Sequence, residues 1–327
     1  MKDISLVRVL PTQPDVQFIK ARMIAAVISI LAVIVSLFLF FTNGLNYGID
    51  FKGGAVIEFT TPEQPDIEAI RALGNSLDVG AVSVQTIARP GQDIPGVRIA
   101  YPRIESEDPE ADDAELQQIA LAKVQTALED KFGVDRTSMS ASVLGSKVSG
   151  ELRTKGIIAV IASLSMVLLY IWIRFEWQFA LGAVTALAHD VILTLGVFEL
   201  FQIEFNLAIV AAILTIVGYS LNDTVIVYDR IRENLRKYKK MALPKVLNLS
   251  INDTLSRTIM TSVTTLLALT ALYFLGGAGL KGFSFAMIWG VFVGTYSSIF
   301  IASPVLLLLG VNRGGALAGG EPSSEGA

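Results

Sequence analysis

The sequence predicts a polytopic α-helical membrane protein, with six transmembrane helices and a small α+β extracytoplasmic domain between spans one and two. Three observations carry this. Of 327 residues, 52% are apolar and only 17% charged, against about 25% charged in a typical soluble domain; the mean hydropathy is +0.57. Six apolar runs are each long enough to cross a hydrocarbon core of about 30 Å. The charged residues are gathered into a few segments, so the net charge of −4 says little about partners. With no cysteine and one histidine, disulfide frameworks, thiolate metal sites and multi-histidine metal sites are excluded.

Residues 1–22 are mixed and basic, with Lys2, Arg8, Lys20 and Arg22. Residues 23–42 form the first span. No Ala-x-Ala cleavage pattern follows it, so it is expected to remain uncleaved. Residues 43–155 carry 18 acidic and 11 basic residues and no run of spanning length. Strand signals at 55–59, 81–87, 96–101 and 138–144 alternate with helix signals. Ile67, Ile70, Leu73 and Leu77 recur near helical spacing, and 114–132 is amphipathic. The order β-α-β-β-α-β suggests a ferredoxin-like domain. The turn 88–95 joins its middle strands, and the acidic stretch 105–115 reads as solvated. Residues 156–309 hold five more spans, at 156–173, 178–200, 206–228, 258–276 and 283–309, with a polar cytoplasmic connection over 229–257. Residues 310–327, rich in Gly, Ser and Glu, read as a disordered cytoplasmic tail.

Orientation follows from lysine and arginine in the short segments. Residues 1–22 carry four and 229–257 carry eight, whereas 201–205 carry none and 277–282 carry only Lys281. Both termini are therefore expected in the cytoplasm and residues 43–155 outside. A cysteine-free outer domain fits a bacterial periplasm.

Asp223 is the focal residue, because a carboxylate within a membrane span costs several kcal/mol unless it is paired, solvated or protonated. Ser220, Tyr219 and Val227 share its helical face. Arg257, opening span five at the same depth, is a candidate partner; a local pair with Asp253 at i−4 is the alternative. His189 and Asp190 sit midway along span three. Adjacent on a helix, they point about 100° apart and are not expected to pair with each other. They either fix helix packing separately or line one polar interior with Asp223 and Asn222. Gly290 and Gly294 form a G-x-x-x-G, the signature of close helix packing, and their small-residue surface is expected to help seat a partner chain. Gly48-Ile-Asp-Phe-Lys-Gly-Gly54 reads as a turn into the first strand. No Walker loop, nucleophile elbow, HExxH or dinucleotide fingerprint occurs, so neither an enzyme nor a cofactor is expected. The basic run from Arg230 to Lys245 reads as a positive-inside, lipid-facing anchor rather than a nucleic-acid surface.

These motifs together resemble the SecD/SecF family of bacterial protein-export subunits. The resemblance rests on Gly48–Gly54 after span one, Leu187-Ala-His-Asp-Val191 in span three, Gly218–Asn234 in span four, and Leu255-Ser-Arg-Thr-Ile-Met-Thr-Ser262 entering span five. It covers nearly the whole chain. The family's six-helix architecture is akin to half of a resistance-nodulation-division transporter. The resemblance implies a heteromer with SecD in the inner membrane, beside the SecYEG translocon. It implies use of the proton-motive force to assist late steps of export of an unfolded polypeptide. Asp223 and Arg257 would be the proton-pathway acid and its companion arginine. A small-molecule proton antiporter subunit and a non-transporting scaffold subunit remain the alternatives.

Overall fold

The computed structural model describes residues 15–61, 63–87, 96–104 and 113–311. Among these, six helical stretches are long and apolar enough to cross a membrane, and they run in the predicted order: Phe18–Thr42, Val148–Arg174, Trp177–Leu200, Leu207–Lys237, Leu243–Leu275 and Gly279–Leu309.

The first spanning helix is α1 (Arg22–Thr42), and a one-turn helix, α2 (Ile49–Lys52), follows it. The domain then runs β1 (Gly54–Thr60), α3 (Ile67–Ser76), β2 (Ser83–Ile87), β3 (Gly96–Pro102), α4 (Asp113–Phe132) and β4 (Ser140–Leu144). The strands form one antiparallel sheet in the order β2-β3-β1-β4. Side chains alternate across a strand, so Ala55, Ile57 and Phe59 of β1 enter a core with Ile70, Val124 and Leu128 of the two helices. Val56 and Ala100 point to the other face, where they meet Ile49 of α2. The domain thus buries both sheet faces at its centre, one of them toward the bundle. The turn 88–95, most of the acidic stretch 105–115 and the tail from 312 lie outside the described residues.

Several helices outrun their predicted spans. α5 is Ser146–Arg174, beginning ten residues before position 156. α6 is Trp177–Leu200, α7 Leu207–Lys237 and α8 Leu243–Leu275. The connection placed at 229–257 is therefore mostly helix, with only 238–242 between α7 and α8. Hydrophobic length sets where a helix leaves the membrane, not where it ends, and Arg, Glu, Lys and Leu all favour continuation. Cross-links hold the extension: Arg230 Nε donates to Asp253 at 2.8 Å, and Asn234 Nδ2 donates to the same oxygen at 3.0 Å. Residues 15–21 also dock here. Val16 exchanges hydrogen bonds with the Asn252 amide at 3.0 and 2.9 Å, and the Ile19 N–H reaches Asn248 Oδ1 at 3.4 Å.

The last span is α9 (Ala278–Ser297), a π turn at Ser298–Ala302, and α10 (Ser303–Leu309). Pro304 has no N–H to return to residue 300, and the helix widens before it. The Tyr228 hydroxyl of α7 donates to the Ala302 carbonyl in this turn at 3.2 Å. α9 lies closely along α7. A Cβ at Gly290 would collide with the Ile216 side chain, and one at Gly294 would lie 2.9 Å from Ser220 Cβ. The G-x-x-x-G surface is consumed inside the chain, so it is not the partner-seating surface expected for it.

Candidate functional site

α7 is the axis of the site. Asn206 caps its start, accepting from the Ile209 N–H at 3.2 Å. Asp223 lies sixteen residues beyond Leu207, about 24 Å along the helix at 1.5 Å per residue. Its side chain is 1% exposed, and no hydrogen bond from a described residue reaches its buried Oδ2. That isolation is costly for a carboxylate in a membrane-spanning helix. The guanidinium of Arg257 on α8 lies near enough to act on it electrostatically. No hydrogen bond joins the two among the described residues. Arg257 itself stands on an exposed face of α8. The alternative local pair with Asp253 is not made either, since Asp253 is engaged by Arg230 and Asn234.

A second carboxylate, Asp190 of α6, is equally buried and fully engaged. Its Oδ2 accepts from Ser220 Oγ of α7 at 2.6 Å and from Ser297 Oγ of α9 at 2.7 Å. Its Oδ1 lies 3.0 Å from His189 Nδ1. This corrects the expectation that the adjacent pair would not meet. The Cβ directions do diverge, but Nδ1 and Oδ1 are each only two bonds from Cβ and bend back toward the backbone. The His189 ring stacks on Tyr296 at 6.1 Å and 29°. Tyr296 in turn donates to the Ala25 carbonyl of α1 at 3.0 Å. A polar line therefore crosses the bundle from α1 through Tyr296, His189 and Asp190 to Ser220, one helical turn from Asp223. Ser220, expected beside Asp223, turns its hydroxyl to Asp190 instead. Asn222 is exposed, outside the polar interior expected for it. Ser297, which follows the G-x-x-x-G with Ser298 and reads from sequence only as part of close helix packing, is instead a donor to Asp190; Tyr296 has no sequence signal beyond its place in an otherwise apolar span.

The upper end of α7 is gripped by the glycine-rich segment. Gly48 N–H donates to the Phe205 carbonyl at 2.9 Å and Phe205 N–H to the Asn46 carbonyl at 2.8 Å. Asn46 Nδ2 reaches the Gln202 carbonyl at 3.0 Å. The Asp50 carboxylate accepts from the Leu207 N–H at 2.9 Å, on the first residue of α7, where helix N–H groups lack intrahelical partners and favour negative charge. Phe205 packs on Tyr47, Phe51 and Phe198. Gly54 is required where the segment enters β1, and Gly48 packs against the Glu204 side chain. Gly54 has φ +144° and a Cβ there would strike the Tyr101 carbonyl; a Cβ at Gly48 would lie 2.6 Å from Glu204 Oε1. A cavity of about 150 Å³, lined by Asp50, Ser83, Arg98 and Glu204 among others, opens between sheet and bundle. So the helix carrying Asp223 at depth is tied at its end to β1 of the domain.

Burial pushes the Glu204 carboxyl above the usual carboxylate range; Asp50 adds to this, while Arg98 and Lys52 oppose it. A raised value in the closed junction means that closure favours the protonated form. Its contribution is full below the ordinary carboxylate range and is lost as pH rises through the raised value. We expect a cysteine at Ser83, in this otherwise cysteine-free chain, to be alkylated faster above that window than below it, relative to the same cysteine in a Glu204→Gln background. Rates whose ratio does not change with pH would show that Glu204 does not control the junction.

Comparison with known proteins gives consistent findings. Residues 123–312 match the family described as protein export membrane protein SecD/SecF, C-terminal, and residues 38–61 match the SecD/SecF GG motif. The chain is 46% identical over 310 residues to a protein translocase subunit SecF of Cereibacter sphaeroides, covering 93% of each. It is 42% identical to a protein translocase subunit SecDF of Brucella abortus, covering 93% of this chain but 38% of that longer one. Among solved structures it resembles SecDF from Thermus thermophilus, described as a translocon-associated membrane protein, with a TM-score of 0.75 and 31% identity over 92% of this chain and 40% of that one.

Proposed function

Since the chain belongs to the SecD/SecF family of protein-export membrane proteins, we propose that it is the proton-driven SecF-type subunit that assists late steps of export. The observation that carries this reading is the isolated, buried Asp223 on a helix whose far end is tied to the domain. Protonation removes a charge that the interior does not satisfy and weakens the attraction to Arg257. The change biases α7 between two packings. Through Asp50, Gly48 and Phe205 the helix then moves the domain. One charge crossing 100 mV supplies about 2.3 kcal/mol, enough to shift a two-state element by well over tenfold.

In this reading the domain lies in the periplasm, both termini lie in the cytoplasm, and the helices cross the bacterial inner membrane. A SecD-like chain covers the exposed face of α8. Arg257, Ser256 and Thr264 stand unburied there, and a cation turned toward lipid within a span is costly. The fusion of both parts in the Brucella relative supports that pairing. SecYEG and the translocating polypeptide are the further partners. The test is export of a reporter by cells carrying this chain as the only copy. Export should slow to the level of cells lacking the chain when the proton gradient is collapsed with ATP held constant. Stimulation by the chain that survives collapse of the gradient would refute a proton-driven role.

A further inference from the structure

A cleft of about 230 Å³ opens on the domain side of the bundle between α1, α5, α6 and α7. Its walls are apolar, with Phe40, Val160, Leu195 and Val210 among them, and its roof is Tyr47 and Phe51 of the glycine-rich segment. Gly156 keeps its α5 wall open beside Phe51: a Cβ there would stand 3.9 Å from both Phe51 and Val210. Ile157 and Ile161 of its lining, and Ile158 beside them, are more than half exposed, so the cleft is continuous with the lipid-facing surface of α5. One cation stands at its mouth. The Arg153 guanidinium lies 5.1 Å over the Tyr47 ring, one helical turn before the apolar run begins at Gly156. Arg153 is exposed and makes no salt bridge with any described residue, whereas the nearby Lys155 pairs with Glu151 at 3.4 Å.

An apolar slot beneath an exposed cation, one helical turn from the start of the apolar run, matches an amphiphile with an anionic head and an alkyl tail. A polypeptide segment fits less well, because the slot offers its backbone amides almost no partners and unsatisfied amides are costly there. Snorkelling explains a cation at this depth but not the slot below it. We propose that this cleft binds one anionic phospholipid of the leaflet on the domain side, with its phosphate at Arg153 and one acyl chain beneath Tyr47 and Phe51. The lipid then supports from below the segment that ties α7 to the domain. This rests on the membrane crossing of the helices and not on the proton chemistry of Asp223.

The test is native mass spectrometry of the full chain, purified with its partner subunit and exchanged into defined lipid. The probes are dioleoyl phosphatidylglycerol and dioleoyl phosphatidylethanolamine. The native chain should retain one phosphatidylglycerol in preference to phosphatidylethanolamine, and inorganic phosphate should not displace it. Arg153→Gln should lower that preference by about tenfold, the loss of one charge-assisted contact of about 1.4 kcal/mol. Gly156→Phe should remove retention of both lipids, and Ile161→Trp should weaken it, with partner co-purification unchanged as the control for folding. Retention unaltered in all three variants, or the absence of any retained lipid in the native chain, would overturn the site. So would efficient cross-linking of a cysteine at Ile157 to the partner subunit, since protein would then cover the cleft.

Discussion

Asp223→Asn is expected to abolish gradient-dependent export while leaving folding, membrane level and partner binding intact. Asparagine keeps the shape and much of the hydrogen-bonding capacity but cannot titrate. If the carboxylate only packed, the substitution would be nearly silent or would stabilise the chain by removing an uncompensated buried charge. The two outcomes therefore diverge in sign as well as size. Asp223→Glu should keep part of the activity, because it titrates from a position displaced by one methylene. Arg257→Lys should impair export too, since a compact ammonium does not reproduce the planar guanidinium. The measurement is secretion of a reporter by cells carrying each variant as the only copy, with protein levels determined alongside. Normal secretion from Asp223→Asn at normal levels would remove the residue from the mechanism.

The second large effect is expected at Asp190. Asp190→Ala removes the acceptor shared by Ser220 and Ser297 and leaves the His189 Nδ1 without its partner. Each buried polar group left unsatisfied costs about 1–3 kcal/mol, and three helices lose their common link. Helix association in the bundle should fail, seen as loss of the folded chain from detergent extracts at temperatures the native chain withstands. Asp190→Asn retains an acceptor oxygen and should restore most of that stability. If Asp190→Asn is stable yet export is still lost, Asp190 takes part in proton movement; if export is retained, it is a structural hub. An Asp190→Ala chain as stable as the native one would show that the network does not hold the bundle together.

Much of this architecture is legible in the sequence because hydrophobic length and period are local signals. Six spans and the order of the four strands and two helices of the domain follow from them. Helix ends follow less well. The extensions of α5, α7 and α8 are polar, and a span criterion stops at the last apolar residue even where Arg230, Glu233 and Asp253 continue the helix into water. Asp223 stands out because an acid in an apolar run is anomalous by itself. Its isolation does not stand out, since Ser220 one turn away looks like a partner until Asp190 is found to claim it. The contact of His189 with Asp190 depends on how short side chains bend back, which helical-wheel angles ignore. The grip of Asp50 on Leu207 spans 157 positions of sequence and leaves only a weak trace, an acid within a glycine-rich turn.

Whether the charge state of Asp223 moves the domain is read from an inter-label distance. Cysteines replacing Lys131 on α4 and Leu200 at the end of α6, both exposed, would carry spin labels in a chain that has no cysteine of its own. The protein, reconstituted in vesicles with its partner, is measured with and without an imposed proton gradient. The distance distribution of the native chain should shift when the gradient is applied, and Asp223→Asn should hold one distribution in both conditions. The same shift in Asp223→Asn, or no shift in a native chain that still supports export, would contradict that coupling.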